Sequence, residues 1–377
     1  MRILFSLDKF STSDGGSDRL ARAAVNALTQ HGHILRIVES AKNTAETVTN
    51  TYTAHSYQLP RPWWMADSDI QTIRWNSMWK DILNHEIIHF KPDIILTQNM
   101  LAPATVAAAK QHKIKTTVLL HGYRCVSPTT FYKQDALTAP PPTFWNVPVR
   151  LKFKWYFVKK TLKLYKECYE SCDTIIANSN YSSAVIKRYF NRDSSVFYPI
   201  MDLNAIDNTI NKQTTQQSIL FIKPQPVKGL DVLLSIAPIL KHHHIIVTGH
   251  TSKRRRLSLS KHKNIQYLGW VKDMGEMYRQ AGVLLGPSQY SEPFGRVFVE
   301  AGLYGVPSVG SDRAGIPEAM GDGGIRVHPD SVAEVWAEAI QAVLKNRVFY
   351  ADTALNHAQS LINKYTPEYF NQLITNT

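Results

Sequence analysis

Cysteine is scarce: the 377 residues hold three, Cys125, Cys168 and Cys172. Three thiols make no disulfide framework of the kind that staples small secreted domains. Cys168 and Cys172 stand at helical i,i+4 spacing, but no other good ligand lies beside them in sequence, which argues against a metal site. A reducing cytoplasm is the expected compartment. Long apolar runs are missing too. No stretch reaches the roughly 18 residues of a membrane span, and the opening MRILFSLDKF lacks the apolar core of a secretory signal. Acidic residues are outnumbered, 30 Asp and Glu against 43 Lys and Arg, for a net charge of +13. That excess points to an anionic partner: a phosphorylated substrate, an anionic membrane surface or nucleic acid. The tetrabasic Lys253-Arg-Arg-Arg256 has no helix-turn-helix, RNA-recognition or zinc signature around it, so nucleic acid is not the expected partner. No GxGxxG fingerprint is present, which disfavours a dehydrogenase.

What is present is a globular composition, 44% hydrophobic and 19% charged, with enough length for two cores. Arg2–Ser6 reads as a buried strand, a loop with Gly15 and Gly16 follows, and Leu20, Ala24, Ala27 and Leu28 mark one face of a helix. Ile34–Val38 is the next strand. The plan recurs with strand Ser218–Ile222, loop Lys223–Gly229, helix Leu230–Leu240 and strand Ile245–Gly249. Strand–helix alternation implies parallel sheets covered by helices on both faces. The expected fold is α/β, with two Rossmann-like domains, 1–200 and 201–377, facing across a cleft. The join is expected in the polar stretch Tyr198–Gln217, and a last helix at about 360–377 is a candidate to pack back on the first domain. Segment 40–90, with Trp63, Trp64, Trp75 and Trp79, fits this plan least and reads as an insertion or an acceptor-side lobe.

The chemistry concentrates in Glu292-Pro-Phe-Gly-Arg-Val-Phe-Val-Glu300. Gly295 allows a sharp turn and close backbone approach. Arg296–Leu303 then begins a helix whose N-terminus favours negative charge. Glu292 falls in the loop and Glu300 within the helix. One carboxylate suits a sugar hydroxyl and the other a ribose, with phosphate at the helix end between them. A capped core helix with two incidental glutamates reads equally well from this motif alone.

The neighbouring residues extend the pattern. Pro287 to Gly310, with Glu292 and Glu300 inside it, resembles the E-x7-E signature of the retaining GT-B glycosyltransferases of family 4, also described as group 1. Val227-Lys228-Gly-Leu-Asp-Val-Leu-Leu234 is similar to the family's lysine–glycine donor-phosphate segment. Gly15-Gly16, His121-Gly122, Ala177-Asn-Ser179 and Ala314-Gly-Ile-Pro-Glu318 match in order and approximate spacing. The resemblance implies a GT-B architecture, with a UDP- or GDP-sugar held by the C-terminal domain and a glycan or lipid-linked acceptor by the N-terminal one. It implies that Glu292 binds the transferred sugar, Lys228 stabilises the departing diphosphate and His121 contacts the sugar. Backbone N–H groups of Phe294, Gly295, Arg296 and Val297 would face sugar and diphosphate, and Glu300 would bind the ribose. Gly15 and Gly16 would admit phosphate or acceptor, while Gly249 and the Trp270-Val271 turn would line the base pocket. Lys223 stands where the family often has arginine, keeping the charge without the bidentate fork. No metal or other cofactor is implied, since cationic side chains and a helix end take the ion's place. Asp67-Ser-Asp69 mimics a metal-binding DxD but lacks a preceding strand. The family reading implies same-face transfer with an α linkage, in surface polysaccharide or glycolipid assembly. A GT-B sugar-nucleotide epimerase is the alternative, against which the E-x7-E segment speaks.

Arg150–Lys166 carries Arg150, Lys152, Lys154, Lys159, Lys160, Lys163 and Lys166 and no acidic residue. At helical spacing Leu151, Trp155, Val158, Leu162, Tyr165 and Tyr169 form one stripe, and the lysines cluster elsewhere. That pattern predicts a helix over 150–169 lying on an anionic membrane, on its inner face. The competing expectation is a domain helix whose apolar stripe lies in the core.

Overall fold

The structure is a computed structural model that describes residues 1–10, 16–60, 68–127, 131–199 and 218–376. The chain divides into two compact units. The first comprises Met1–Thr130, Ala139–Ile200 and Tyr365–Thr377, and the second Phe131–Thr138 and Met201–Lys364. Residues 131–138 thus belong with the second unit, although they lie well inside the first 200 residues.

In the first unit the order is β1 Arg2–Leu7, α1 Gly16–Gln30, β2 Ile34–Ala41, β3 Ala45–Val48, β4 Tyr52–Gln58, α2 Ser68–Phe90 and β5 Ile94–Gln98. There follow α3 Ala102–Gln111, β6 Lys115–Leu120, α4 Val149–Lys152, α5 Trp155–Ser171, β7 Thr174–Ala177, α6 Asn180–Phe190 and β8 Ser195–Val196. The strands form one sheet in the order β3-β4-β2-β1-β5-β6-β7-β8. Among the described strands only β3 runs antiparallel to its neighbour. β1 is central because Ile3, Leu4, Phe5 and Leu7 are all buried, as a strand covered by helices on both faces requires.

The described residues of segment 40–90 are built into the sheet and core of the first unit rather than inserted into it. β4 pairs in parallel with β2 from Leu35↔Tyr52 to Ala41↔Gln58, and α2 sends Trp75, Trp79, Leu83, Ile87 and Phe90 into the core. Its periodicity is obscured because the same helix also buries Thr72, Asn76 and Glu86. Each buried polar group finds partners, as burial demands. Asn76 donates to the carbonyls of Thr72 (2.7 Å) and Met100 (2.9 Å). Glu86 accepts from His55 Nδ1 at 2.6 Å, from Arg36 at 3.3 Å and from the Tyr57 hydroxyl. Burial alone would push the Glu86 carboxyl up, but these donors hold it below its ordinary value.

The basic aromatic segment also departs from expectation. It is not one helix: α4 ends at Lys152, the chain turns at Phe153 and Lys154, and α5 begins at Trp155. Leu151, Val158, Tyr165 and Tyr169 of the apolar stripe are buried, and Trp155 and Leu162 pack against the cluster of Val147, Leu151 and Val158. The stripe belongs to the core of the unit and is not available to lipid.

In the second unit the order is β9 Ile219–Ile222, α7 Leu230–Ile236, β10 Ile245–Thr248, α8 Lys253–Leu259, β11 Ile265–Gly269, α9 Met274–Gln280 and β12 Val283–Gly286. Next come α10 Arg296–Leu303, β13 Ser308–Ser311, α11 Ile316–Met320, β14 Gly324–Val327, α12 Ala333–Lys345 and α13 Arg347–Lys364. Six parallel strands stand in the order β11-β10-β9-β12-β13-β14. This is the doubly wound Rossmann order, whose ligand crevice opens where the chain reverses direction across the sheet. Here that point lies between β9 and β12, which pair through Ile219↔Val283 and Phe221↔Leu285. Phe221, Leu233, Val247, Leu285, Trp336 and Ile340 fill the core beneath it. α14 Pro367–Thr375 returns to the first unit, where Phe370 lies 5.0 Å from the ring of Phe197.

Candidate active site

The loops after β9 and β12 meet at the switch point. A short 3-10 turn, Pro226–Lys228, follows β9 and ends at Gly229, whose φ is +85°. A Cβ on Gly229 would sit 2.1 Å from the carbonyl oxygen of Pro287. Only a residue without a side chain lets the two backbones touch there. This contact sets Lys228 opposite the loop that carries Glu292.

Lys228 Nζ donates to Glu292 Oε2 at 2.5 Å and to the Tyr290 hydroxyl at 3.0 Å. It also lies 4.8 Å from the centroid of the Tyr290 ring. Ser288 Oγ donates to the same carboxylate oxygen at 3.3 Å. Burial alone would lower the lysine's pKa and raise the glutamate's, but each charge outweighs that for the other. Lys228 is therefore raised and Glu292 lowered, and both are ionised at neutral pH. Burial and the neighbouring carboxylate push the Tyr290 phenol up, so it stays neutral.

Glu292 is held through its backbone as well. Its carbonyl accepts from Gly315 N at 2.9 Å, and a Cβ on Gly315 would lie 2.2 Å from the carbonyl oxygen of Pro293. Phe294 is buried, and Gly295, at φ +100°, turns the chain into α10. Arg296 and Val297, both half-buried, form the first turn of that helix. One turn further, Glu300 accepts from the Tyr278 hydroxyl at 3.0 Å and from Arg296 Nη2 at 3.2 Å. Arg296 thus orients Glu300.

The remaining expected donor residues gather at the carboxyl ends of β9, β10 and β11. Lys223 has φ +62° and donates its N–H to the Thr248 carbonyl at 2.8 Å. Its charge helps hold the Glu292 carboxyl low. Gly249, at φ +103°, lies so close that a Cβ would be 3.1 Å from Lys223 Cα. The Gly249 N–H donates to the Gly269 carbonyl at 2.6 Å, and its carbonyl accepts from the Tyr267 hydroxyl at 2.9 Å. Val271 follows two residues beyond, half-buried.

Two expected residues lie in the first unit. His121 directly follows β6, and its Nε2 donates to Gln98 Oε1, 2.8 Å away, at the end of β5. Gly16 opens α1, while Gly15 lies outside the described residues. Asp67 also lies outside them. Asp69 is buried against Arg124 Nη2 (3.4 Å) and Lys154 Nζ (3.3 Å), which neutralise it and tie α2 to neighbouring segments. Among the described residues no group of three His, Cys, Asp or Glu side chains could hold a metal ion. The three cysteines are buried. Burial pushes the Cys125 thiol up to about 12 and that of Cys172 up to about 11, so neither is a nucleophile at neutral pH.

Sequence reasoning missed Tyr290, Ser288 and Tyr278. The first two stand within four residues of Glu292, which is the signal that could have flagged them. Tyr278 lies in α9 and reaches Glu300 only through the fold.

A profile described as Glycosyltransferase Family 4 matches residues 14–205, and one described as Glycosyl transferases group 1 matches residues 216–346. An uncharacterized 41.2 kDa protein in the cps region of Klebsiella pneumoniae is 32% identical over 187 residues, 45% of this chain and 51% of that protein. The chain thus spans about half the length of the curated relatives it matches. Among solved structures, sucrose-phosphate synthase from Thermosynechococcus elongatus superposes with a TM-score of 0.76 at 15% identity, covering 100% of this chain and 98% of that one. Anabaena HepE, in complex with UDP-glucose, gives 0.68 at 15% identity, covering 100% and 99%. At such identities the likeness concerns the fold, which is the GT-B architecture of two parallel-sheet domains. The first profile alone matches half the sequence, and the chain belongs to glycosyltransferase family 4.

Proposed function

We propose that the protein is a retaining, metal-independent hexosyltransferase that moves a sugar from a UDP- or GDP-sugar to a glycan or lipid-linked acceptor, leaving an α linkage. The single observation that carries this reading is the Lys228–Glu292 pair at the Rossmann switch point, beside the turn of Gly295 into α10. A donor suits that pair. Its diphosphate takes the place of Glu292 at the Lys228 ammonium, and a hydroxyl of its sugar takes the place of Lys228 at the Glu292 carboxylate. Each charge exchanges one partner for another, so neither is left bare.

The chemistry follows from these roles. As the anomeric carbon acquires oxocarbenium character, negative charge builds on the leaving diphosphate. Lys228, once its partner is exchanged, Lys223 and the backbone N–H groups of residues 294–297 stabilise that charge. Glu300, oriented by Tyr278 and Arg296, accepts from the ribose hydroxyls. Gly249 and Val271 line the base pocket. His121 contacts the transferred sugar, and Gly15 and Gly16 admit phosphate or acceptor. Glu292 is a poor nucleophile candidate because it binds a sugar hydroxyl. The acceptor attacks the face the leaving group vacates, and a donor phosphate oxygen takes its proton. The protein then supplies position and charge. An epimerase would need an acid–base pair, whereas Glu292 is held ionised by its partner.

The cps-region relative and the HepE complex with UDP-glucose support a nucleotide-sugar enzyme of surface polysaccharide or glycolipid assembly. Among the described residues no helix is long and apolar enough to cross a membrane. Contact with an anionic inner membrane surface would instead use the outward side of 144–160. There Trp145 (81% exposed), Phe153 (90%) and Tyr156 (70%) stand in water, and Arg150, Lys159 and Lys160 are exposed among them. Exposed aromatics among cations suit the interface of an anionic bilayer.

The test is thermal stability in EDTA against UDP-, GDP-, ADP- and dTDP-sugars, with Glu300→Ala as control. A ligand at a hundred times its dissociation constant adds about 2.7 kcal/mol. A shift from one nucleotide class, lost in the variant, is the expected result. No shift from any of them in folded protein overturns the reading.

A further inference from the structure

Residues 131–138 leave the first half of the chain and pack within the second unit. Tyr132 forms an antiparallel bridge with Tyr290, and Lys133 N donates to the Gln289 carbonyl at 2.6 Å. Ser291 is wholly buried. Its hydroxyl donates to the Gln134 carbonyl at 3.0 Å and accepts from Ala136 N at 3.1 Å. These bonds all end on residues 289–291, the three that precede Glu292. The segment is also in an unfavourable backbone conformation: Phe131 has φ +55° and Lys133 φ +54°. Side chains rarely adopt that region, and non-glycine residues persist there when the surroundings over-determine them. Here the surroundings are the loop that carries Tyr290 and Glu292. Tyr290 passes the constraint on, through its hydroxyl at 3.0 Å from Lys228 Nζ and its ring against the same ammonium.

We propose that residues 131–136 are a strap that positions Tyr290 and Glu292 for the sugar of the donor, with Ser291 as the positioning residue that fastens it. The inference rests on the donor reading above and gives a role to Ser291, a residue to which the motif around it assigns none. Ser291 shows no bond to Lys228 or Glu292; it acts on them through the backbone. The strap grips the loop on the sugar's side of the pocket and leaves the base end, at Gly249 and Val271, untouched. Its loss should therefore weaken recognition of the sugar and spare that of the nucleotide.

The test compares binding of UDP with UDP-glucose, and of GDP with GDP-mannose, by calorimetry on the full chain. The ratio of the two dissociation constants in each pair isolates what the sugar contributes. Ser291→Ala removes both strap bonds of the hydroxyl, and should cut that ratio about tenfold while the diphosphate affinity stays within about twofold. Lys133→Pro unties the strap independently at an exposed site, by removing the N–H to Gln289 and forbidding the positive φ. It should reproduce the loss. Lys133→Gly keeps the N–H and suits the φ, and should bind like the wild type. An unchanged ratio in both untying variants overturns the strap, as does an equal fall in diphosphate and sugar-nucleotide affinity, which marks a merely structural role. Wild-type protein that binds none of the four ligands overturns the donor reading itself.

Discussion

Separating Lys228 from Glu292 tests the site at its centre. Two unit charges 2.5 Å apart attract by about 7 kcal/mol at an effective dielectric of about 20, before the cost of taking them from water. The side chains keep 24% and 15% of their exposure, and desolvation offsets most of the attraction. A net coupling of about 2 kcal/mol remains, in the range of charge-assisted hydrogen bonds. Lys228→Met alone leaves Glu292 half-buried with hydroxyl partners and the weaker influence of the Lys223 charge. It should lower the melting temperature by about 5 °C, at roughly 2–4 °C per kcal/mol for a unit of this size. Glu292→Gln should cost a similar amount, and the double variant about 2 kcal/mol less than the sum.

The pH dependence has a definite sign. Glu292 is lowered from its ordinary 4.5, so its contribution is full above that value and is lost as pH falls through the folded value. Lys228 is raised above 10.5, so its contribution is full below that value and is lost only at higher pH. Calorimetric melts of the four proteins should therefore show the coupling at pH 7 and a smaller one near pH 3. Additive costs at pH 7, within about 0.5 kcal/mol, would refute the argument. So would a coupling that does not diminish in acid.

Two further outcomes are expected. Gly229→Ala places a methyl group 2.1 Å from the Pro287 carbonyl oxygen at a φ of +85°. It should cost more than about 3 kcal/mol and abolish donor binding, read by chemical denaturation and the same nucleotide-sugar panel. The protein should co-sediment with phosphatidylglycerol vesicles and not with phosphatidylcholine ones. Trp145→Ala with Phe153→Ala should weaken that binding about tenfold or more; equal binding of wild type and variant would remove this face from the account.

Much of the fold was legible because parallel strands covered on both faces must be apolar throughout. Arg2–Ser6, Ile245–Gly249 and Val283–Gly286 announce themselves for that reason. Segment 40–90 did not, because α2 buries Thr72, Asn76 and Glu86 on its core face and their partners come from distant elements. The basic segment stayed ambiguous for the converse reason. Leu151, Val158, Tyr165 and Tyr169 make the amphipathic stripe that a core helix and a membrane helix share, and only burial separates the two.

The site divides in the same way. The order of motifs, the glycines at turns and the spacing of Glu292 from Glu300 are properties of the chain, and they sufficed for the family and the two-unit plan. Glycine at 229, 249 and 295 suits the positive φ at each turn, which a local sequence can specify, although the approach of Gly229 to Pro287 comes from the fold. Which groups meet is another matter. The pairing of Lys228 with Glu292, of Glu300 with Tyr278, and of Ser291 with a segment 155 residues earlier was decided only by the tertiary structure. Ion pairs and buried hydrogen bonds act over a few ångströms in space, and the sheet order, not the sequence, brings those residues within reach.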